Sequence, residues 1–198
     1  EDWEKNFAPI RVKDQCEVRA PFNPVPEVAY DIVIDPKMSF GTGHHQTTHM
    51  MLEFVLEHDF EQQSVLDMGA GTAVLAILAM RKGASHATAI DIDPWCVENA
   101  TENAQRNGVS AIDVQLGGAE VLPKSAVFDH VMANINRNIL LQDMSAYVRC
   151  LQPGGQLFLS GFYLEDLPSV RSCCEANGLR YVTHKERDQW VAAKFVNL

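Results

Sequence analysis

No apolar run in this 198-residue chain approaches the roughly 20 residues that span a bilayer, and its opening "EDWEKNF" is charged where a signal peptide would be greasy. A membrane protein and a secreted precursor are therefore disfavoured, and a cytoplasmic, monomeric protein is expected. Cysteine is scarce: Cys16, Cys96, Cys150, Cys173 and Cys174 are odd in number and lack any CxxC spacing. That pattern argues against a disulfide framework and a cysteine zinc site, and for reduced thiols that pack. Cations are few as well, 16 Lys and Arg against 26 Asp and Glu, for a formal net charge of -10. With no Lys/Arg cluster interleaved with aromatics, nucleic acid is not expected as a direct partner. A basic protein or an amine suits such a field better.

What is present is enough for one core, since 46% of the residues are hydrophobic. Residues 1–36 hold Pro9, Pro21, Pro24, Pro26 and Pro36, a density that disfavours helices and suggests a linker or lead-in segment with short strands. From residue 37 onward one domain is expected. "TTHMMLEFVLEHD" has the apolar spacing of a helix, "SVLDMG" reads as a buried strand, and "TAVLAILAMRKG" as a helix closing at Gly83. "HATAIDID" is a second strand, "PWCVENATENAQRNG" a helix between Pro94 and Gly108, "IDVQL" a short strand, and "VFDHVMANI" a fourth strand. The helix "NILLQDMSAYVRCL", capped by Asn138, leads to a turn at "PGG" and the strand "QLFLSGF". Alternation of this kind predicts βαβ units and an α/β fold with a mostly parallel sheet. After the helix "LPSVRSCCEANG", the runs "LRYVTHKER" and "QWVAAKFVNL", separated by Asp188, predict an antiparallel hairpin.

Chemistry concentrates in "LDMGAGTAVLAI". Gly69 and Gly71 at a strand-to-helix junction let backbone amides approach an anionic group at a helix amino terminus. A dinucleotide fingerprint would need a further glycine at position 74, where this chain has Val74. Asp67 would repel a pyrophosphate and suits a ligand that also carries an ammonium, as an amino-acid end does. Asp91, closing the second strand in "AIDIDP", is placed to accept both hydroxyls of a ribose, while Asp93 before Pro94 caps a helix. A ribose plus an amino-acid end describes S-adenosylmethionine. In "ANIN", at the carboxyl end of the fourth strand, Asn134 is suited to fix a nitrogen nucleophile by accepting from its N–H. The stretch "FGTGHHQTTHMMLEFV" allows a metal site, a phosphate loop or a cover: His45, His49 and Glu53 would share one helical face.

The runs "FGTGHHQTT", "VLDMGAGTAVLAI", "AIDIDP…ENAQRNGV", "ANI" and "LQPGGQLFLSGF" together resemble the ribosomal protein L11 methyltransferase family, class I enzymes that methylate amino groups of that protein with S-adenosylmethionine. The likeness runs from about Trp3 to the carboxyl terminus. It implies a Rossmann-like class I methyltransferase domain, a seven-stranded, mostly parallel sheet with helices on both faces. It also implies that Thr48, Gly69, Asp91 and Asn134 contact the cofactor, with Asn134 also next to the accepting nitrogen, and that the Gly41–Thr48 loop covers the methionine end. No metal is then required. His44 and Gln46 replace the family's usual Thr and Pro, and Ala70 and Ala73 stand where Cys and Gly are common. Family members resemble two-domain enzymes with a small amino-terminal substrate-recognition domain joined by a linker, and this chain starts at about that linker. The expectation is a catalytic domain by itself or a shortened relative, acting on lysine or α-amino groups of ribosomal protein L11. The competing expectation is a methyl acceptor that is another protein or a small-molecule amine. A cofactor-binding module without catalysis fits poorly with an intact set of Asp67, Gly69, Gly71, Asp91 and Asn134.

Overall fold

The computed structural model describes residues 8–35 and 46–198. A three-stranded sheet comes first: β1 (Ile10–Val12) pairs antiparallel with β2 (Cys16–Arg19), which pairs parallel with β3 (Tyr30–Val33). After α1 (Gln46–Glu57) the chain alternates through β4 (Ser64–Met68), α2 (Val74–Arg81), β5 (His86–Asp91), α3 (Pro94–Arg106) and β6 (Ile112–Leu116). It continues through β7 (Phe128–Asn134), α4 (Arg137–Arg149), β8 (Leu151–Tyr163) and α5 (Leu167–Ala176), and ends with β9 (Leu179–Arg187) and β10 (Trp190–Asn197). The seven-stranded sheet has the order β6-β5-β4-β7-β8-β10-β9; its first five strands are parallel, and β10 runs antiparallel between β8 and β9. This is the doubly wound α/β arrangement expected. No helix among the described residues is long and apolar enough to cross a membrane.

Period-two alternation divides the core. Val65, Ala87, Ala89, Met132, Phe158 and Ala192 face α1, α2 and α3, while Leu66, Ile90, Val131, Leu157, Leu159 and Val191 face α4 and α5. The segment before α1 joins the first of these layers: Val12, Cys16, Val18, Ile32 and Ile34 are fully buried against the same cluster. That placement explains why Val74–Ala79 of α2 are buried on every side, between a small sheet and a large one. The exposed backbone of β3 is met by an asparagine row on α3. Asn107 accepts from Val33 N (2.8 Å) and donates to Val33 O (2.7 Å), Asn103 accepts from Asp35 N (3.0 Å), and Asn99 donates to Asp35 O (3.1 Å). Asn99, Asn103 and Asn107 recur every fourth residue, so one helical face satisfies an edge that would otherwise lie open.

Three local expectations change. Asn136, not Asn138, caps α4, its side chain accepting from Ile139 N at 3.1 Å. Pro153-Gly154-Gly155 does not end an element but lies within β8 as an irregularity, where the β7–β8 register jumps between Phe128 and His130. The turn of the terminal hairpin is two residues, Asp188 and Gln189, with φ 51° and 68°, as a primed turn requires.

A second irregularity in β8, at Gly161, matters for the site. Gly161 has φ +103°, and a Cβ there would enter the backbone of Ile135, the residue after Asn134. Gly161→Ala is therefore expected to destabilise the fold by about 3 kcal/mol or more, from backbone strain added to overlap with atoms that have no room to move. Urea denaturation checks it: the midpoint should fall at unchanged slope. A midpoint equal to that of the parent would mean that β8 slides freely at this point.

Candidate functional site

Gly69, Gly71 and Ala73 all have left-handed backbone (φ 69°, 57° and 66°), alternating with residues of negative φ, so the chain after β4 curls tightly into the start of α2. Glycine adopts this shape freely, whereas Ala73 holds it at a cost of about 1 kcal/mol. At Gly69 the need is also spatial, because a Cβ would lie 2.8 Å from Ile135 Cγ1. The curl is fixed by β5: Ile90 O accepts from Gly69 N (2.8 Å) and Ala70 N (3.0 Å), and Asp91 Oδ2 accepts from Gly71 N (3.0 Å). Asp91 Oδ1 accepts from Asp93 N at 3.0 Å, and Asp93 in turn caps α3 by accepting from Trp95 N at 2.9 Å, as its place before Pro94 suggested. Each Asp91 oxygen keeps a lone pair for a ligand hydroxyl.

Two cavities meet at this curl. The small one, about 40 Å³, is lined by Thr48, Asp67, Gly69, Ala70, Gly71, Val74, Leu75 and Asn134. The large one, about 760 Å³, shares Gly69, Gly71 and Asn134 with it and extends past Asp91, Ile92 and Gly117–Glu120 to the α4 side chains Ile139, Gln142, Asp143 and Tyr147. Asp67 and Asn134 follow the alternation of Val65 and Met132, so they face the α1 side, whereas the far end of the large cleft lies on the α4 side. A ligand occupying both must cross the carboxyl edge of the sheet between β4 and β7, where an open α/β sheet binds ligands.

All six residues singled out in the sequence, Thr48, Asp67, Gly69, Gly71, Asp91 and Asn134, line one or both cavities. Asn134 Nδ2 donates to Thr48 Oγ1 at 3.2 Å, joining residues 86 apart in the chain. Asp67 is 1% exposed; its Oδ2 accepts from Ala76 N at 3.1 Å, and burial pushes its pKa up to about 8 despite that bond, with the Asp91 charge adding to the rise. A buried carboxylate short of a counter-ion, beside a helix amino terminus, suits the ammonium and carboxylate of an amino-acid end. Curl, carboxylates and cleft thus fit S-adenosylmethionine.

The Phe40–His45 part of the loop, with Gly41, His44 and His45, lies outside the described residues. Within them, His49 Nδ1 is 3.4 Å from Glu53 Oε1 and 2.8 Å from Arg187 Nη1. Burial, and then the Arg187 charge, lower the His49 pKa, and a guanidinium against the imidazole opposes a metal there. Among the described residues no group of three or more His, Cys, Asp and Glu is arranged to hold a metal ion. Sequence reasoning passed over Ile92, exposed beside the cleft, and the Gly117-Gly118-Ala119 turn, which Asp91 O anchors by accepting from Gly117 N at 2.9 Å. The paired glycines in "LGGAE" just after β6 were the available signal.

A profile of the family described as Ribosomal protein L11 methyltransferase (PrmA) matches residues 1–197. The Ribosomal protein L11 methyltransferase of Bacteroides fragilis is 51% identical over 198 residues, 99% of this chain and 71% of the relative. The crystal structure of a ribosomal protein L11 methylase from Lactobacillus delbrueckii subsp. bulgaricus superposes with a TM-score of 0.86 at 26% identity, covering 96% of this chain and 98% of that one. M. jannaschii TYW2, solved in complex with AdoMet, shares the fold at a TM-score of 0.59 and 17% identity, over 79% of this chain and 80% of that one. With a family profile spanning nearly its whole length and half its residues shared with a member, this chain belongs to the ribosomal protein L11 methyltransferase family.

Proposed function

We propose that this chain is a protein N-methyltransferase that transfers methyl groups from S-adenosylmethionine to lysine or α-amino groups of ribosomal protein L11, in the cytoplasm. One observation carries the reading beyond cofactor binding. One N–H of the Asn134 amide donates to Thr48, which turns its carbonyl oxygen outward as an acceptor at the junction of the two cavities. An amine N–H donated to that oxygen has its lone pair directed elsewhere, into the site.

The cofactor supplies an electrophilic methyl group on a sulfonium. The chain's own task is placement. Asp91, which fixes Gly71, would hold the ribose hydroxyls, the Gly69–Ala73 curl would admit the amino-acid end against Asp67, and Asn134, braced by Thr48, would position the amine. Held in line, the reactants need little acid or base help, and positioning can contribute several kcal/mol. The amine must be neutral. At pH 7 that costs about 4 to 5 kcal/mol for a lysine and about 1 kcal/mol for an α-amine. The net charge of -10 draws a basic ribosomal protein toward the site.

Mass spectrometry of L11 after incubation with this chain and S-adenosylmethionine tests the reading; it fails if cofactor binds and no methyl group appears on L11. Asp91→Ala should weaken cofactor binding by about 1.5 to 3 kcal/mol, the cost of losing bonds to a charged group. Asn134→Ala should instead slow single-turnover transfer at saturating cofactor by about 100-fold while changing cofactor affinity only a few-fold. An unaltered rate would return Asn134 to a structural part.

Asp67 predicts a pH dependence. Its folded pKa, about 8, lies above the ordinary value of about 3.9 for an aspartate, so the ligand-free fold holds a proton that the unfolded chain has released. Its contribution therefore lowers stability as pH rises between those values. A ligand ammonium reverses the preference by favouring the carboxylate. Cofactor affinity should consequently climb between about pH 6 and 8, by up to tenfold per unit, and then level off. Calorimetry at pH 7 in buffers of different ionisation enthalpy should show proton release on binding, abolished in Asp67→Asn; equal release in that variant would discard the assignment.

A further inference from the structure

Because Asn134 gives an N–H to Thr48, whatever fixes Thr48 also fixes the Asn134 amide. Thr48 is the third residue of α1, in the first turn, where a helix frays most readily. Two side chains of that turn are tied to the terminal hairpin. Gln46 Nε2 donates to Asp188 Oδ2 at 2.6 Å, and Arg187 Nη1 donates to His49 Nδ1 at 2.8 Å, across 142 and 138 positions of chain. An imidazole nitrogen accepts only when it carries no proton, and burial, followed by the Arg187 charge, favours that form of His49.

The hairpin end is itself anchored. Asp188 and Gln189 hold the left-handed backbone of a primed turn, Gln189 O accepts from Leu164 N at 2.8 Å, and Trp190 stacks on Tyr163 with ring centroids 4.1 Å apart. Tyr163 ends β8, and β8 leads back to the site. Ser160 pairs with Asn134 across the two strands; its main-chain oxygen accepts from Ile135 N at 3.0 Å, and its Oγ donates to Val191 O at 2.7 Å. The contacts close a ring: from Asn134 to Thr48, along the first turn of α1, to the hairpin turn, down the end of β8 and back to Asn134. On the β8 side the ring is sheet, which holds the backbone of Asn134. The direction of its side-chain amide is left to the α1 side, since the last torsion of an asparagine has a broad, soft minimum.

We propose that Asp188 and Arg187 are positioning residues for methyl transfer: acting through Gln46 and His49, they hold Thr48 in place and so aim the Asn134 carbonyl at the accepting amine. The proposal rests on the methyltransferase reading given above and concerns the transfer step, not cofactor capture. Asp188 and Arg187 are exposed, where such bonds add little stability, so a loss of rate on removing them is not a loss of folded protein.

Single-turnover methylation of L11 at saturating S-adenosylmethionine tests it. Asp188→Gly removes the acceptor and keeps a residue at ease with positive φ, and His49→Ala removes the other tie with a good helix former. Asp188→Gly should slow transfer by about threefold, and the two changes together by about tenfold, since small misplacements of a positioning group are costly. The unfolding midpoint and the affinity for S-adenosylhomocysteine should stay close to those of the parent. Asp188→Asn, which keeps an accepting oxygen and tolerates the same backbone, should restore the rate to within about twofold of the parent. In a Thr48→Val background the paired changes should cost no more than about twofold, because the link they act through is already cut. The inference is overturned if the paired variant keeps the parental rate, if its loss is undiminished in the Thr48→Val background, or if Asp188→Asn is slowed as much as Asp188→Gly. A rate loss matched by a fallen midpoint or by an equal loss of cofactor affinity overturns it too, by showing a structural or cofactor-binding part. A parent that binds cofactor and transfers no methyl group to L11 would overturn the function reading itself, and this inference with it.

Discussion

The carboxylate of Asp91 holds the site together. Through Oδ2 it takes the amide of Gly71, through Oδ1 that of Asp93, and through its main-chain oxygen that of Gly117. Three chain segments that contribute nothing to one another's secondary structure, the curl after β4, the start of α3 and the turn after β6, are thereby fixed to the end of one strand. A single residue at the carboxyl edge of a parallel sheet can do this because successive βα turns all converge there. The same oxygens retain lone pairs, so the group that fixes these segments is also able to accept from a ligand.

A second set of ties runs from the curl to the small sheet. Asn103 is fully buried, accepts from Asp35 N and donates to Thr72 O, so the end of β3 and the glycine curl share one amide. α2, pinned between the two sheets, is positioned by burial on all sides and not by its caps: Ala73 provides no side-chain bond at its start. The left-handed Ala73 is strain carried where the site is built, and the surrounding apolar packing over-determines it. At the other end of α1, Lys82 donates to the carbonyls of Val55 (2.8 Å) and Leu56 (3.0 Å), a cation set against the negative end of a helix dipole.

Much of the site was legible because its chemistry is local. The spacing Asp67, Gly69, Gly71 marks a strand-to-helix curl, and Asp91 and Asp93 mark the end of the next strand and a helix cap. Each reading needs only neighbouring residues. The cap of α4 was misplaced by two residues because "NINRN" offers three asparagines, and only the φ/ψ of Asn136 selects among them. "PGG" read as a turn because proline and glycine end most strands; here they bulge one that continues, since β10 pairs with β8 on its other side through Gln156. The asparagines of α3 carry no local sign of their part, because their partners at β3 are far away in the chain.

Sequence alone determined the α/β class, the curl, the Asp93 cap of α3 and the terminal hairpin, because periodicity, glycine conformation and helix capping are settled within a few residues. Tertiary structure decided what distant segments do to one another: that the segment before α1 completes the core over α2, that Asn134 gives an N–H to Thr48, that Asp67 is buried enough to hold a proton near neutrality, and that the Tyr147 hydroxyl has no partner among the described residues. Those outcomes depend on desolvation and on which side chains meet across the fold. Neither quantity is a property of a residue and its neighbours in sequence; both are set when the two faces of the sheet are covered.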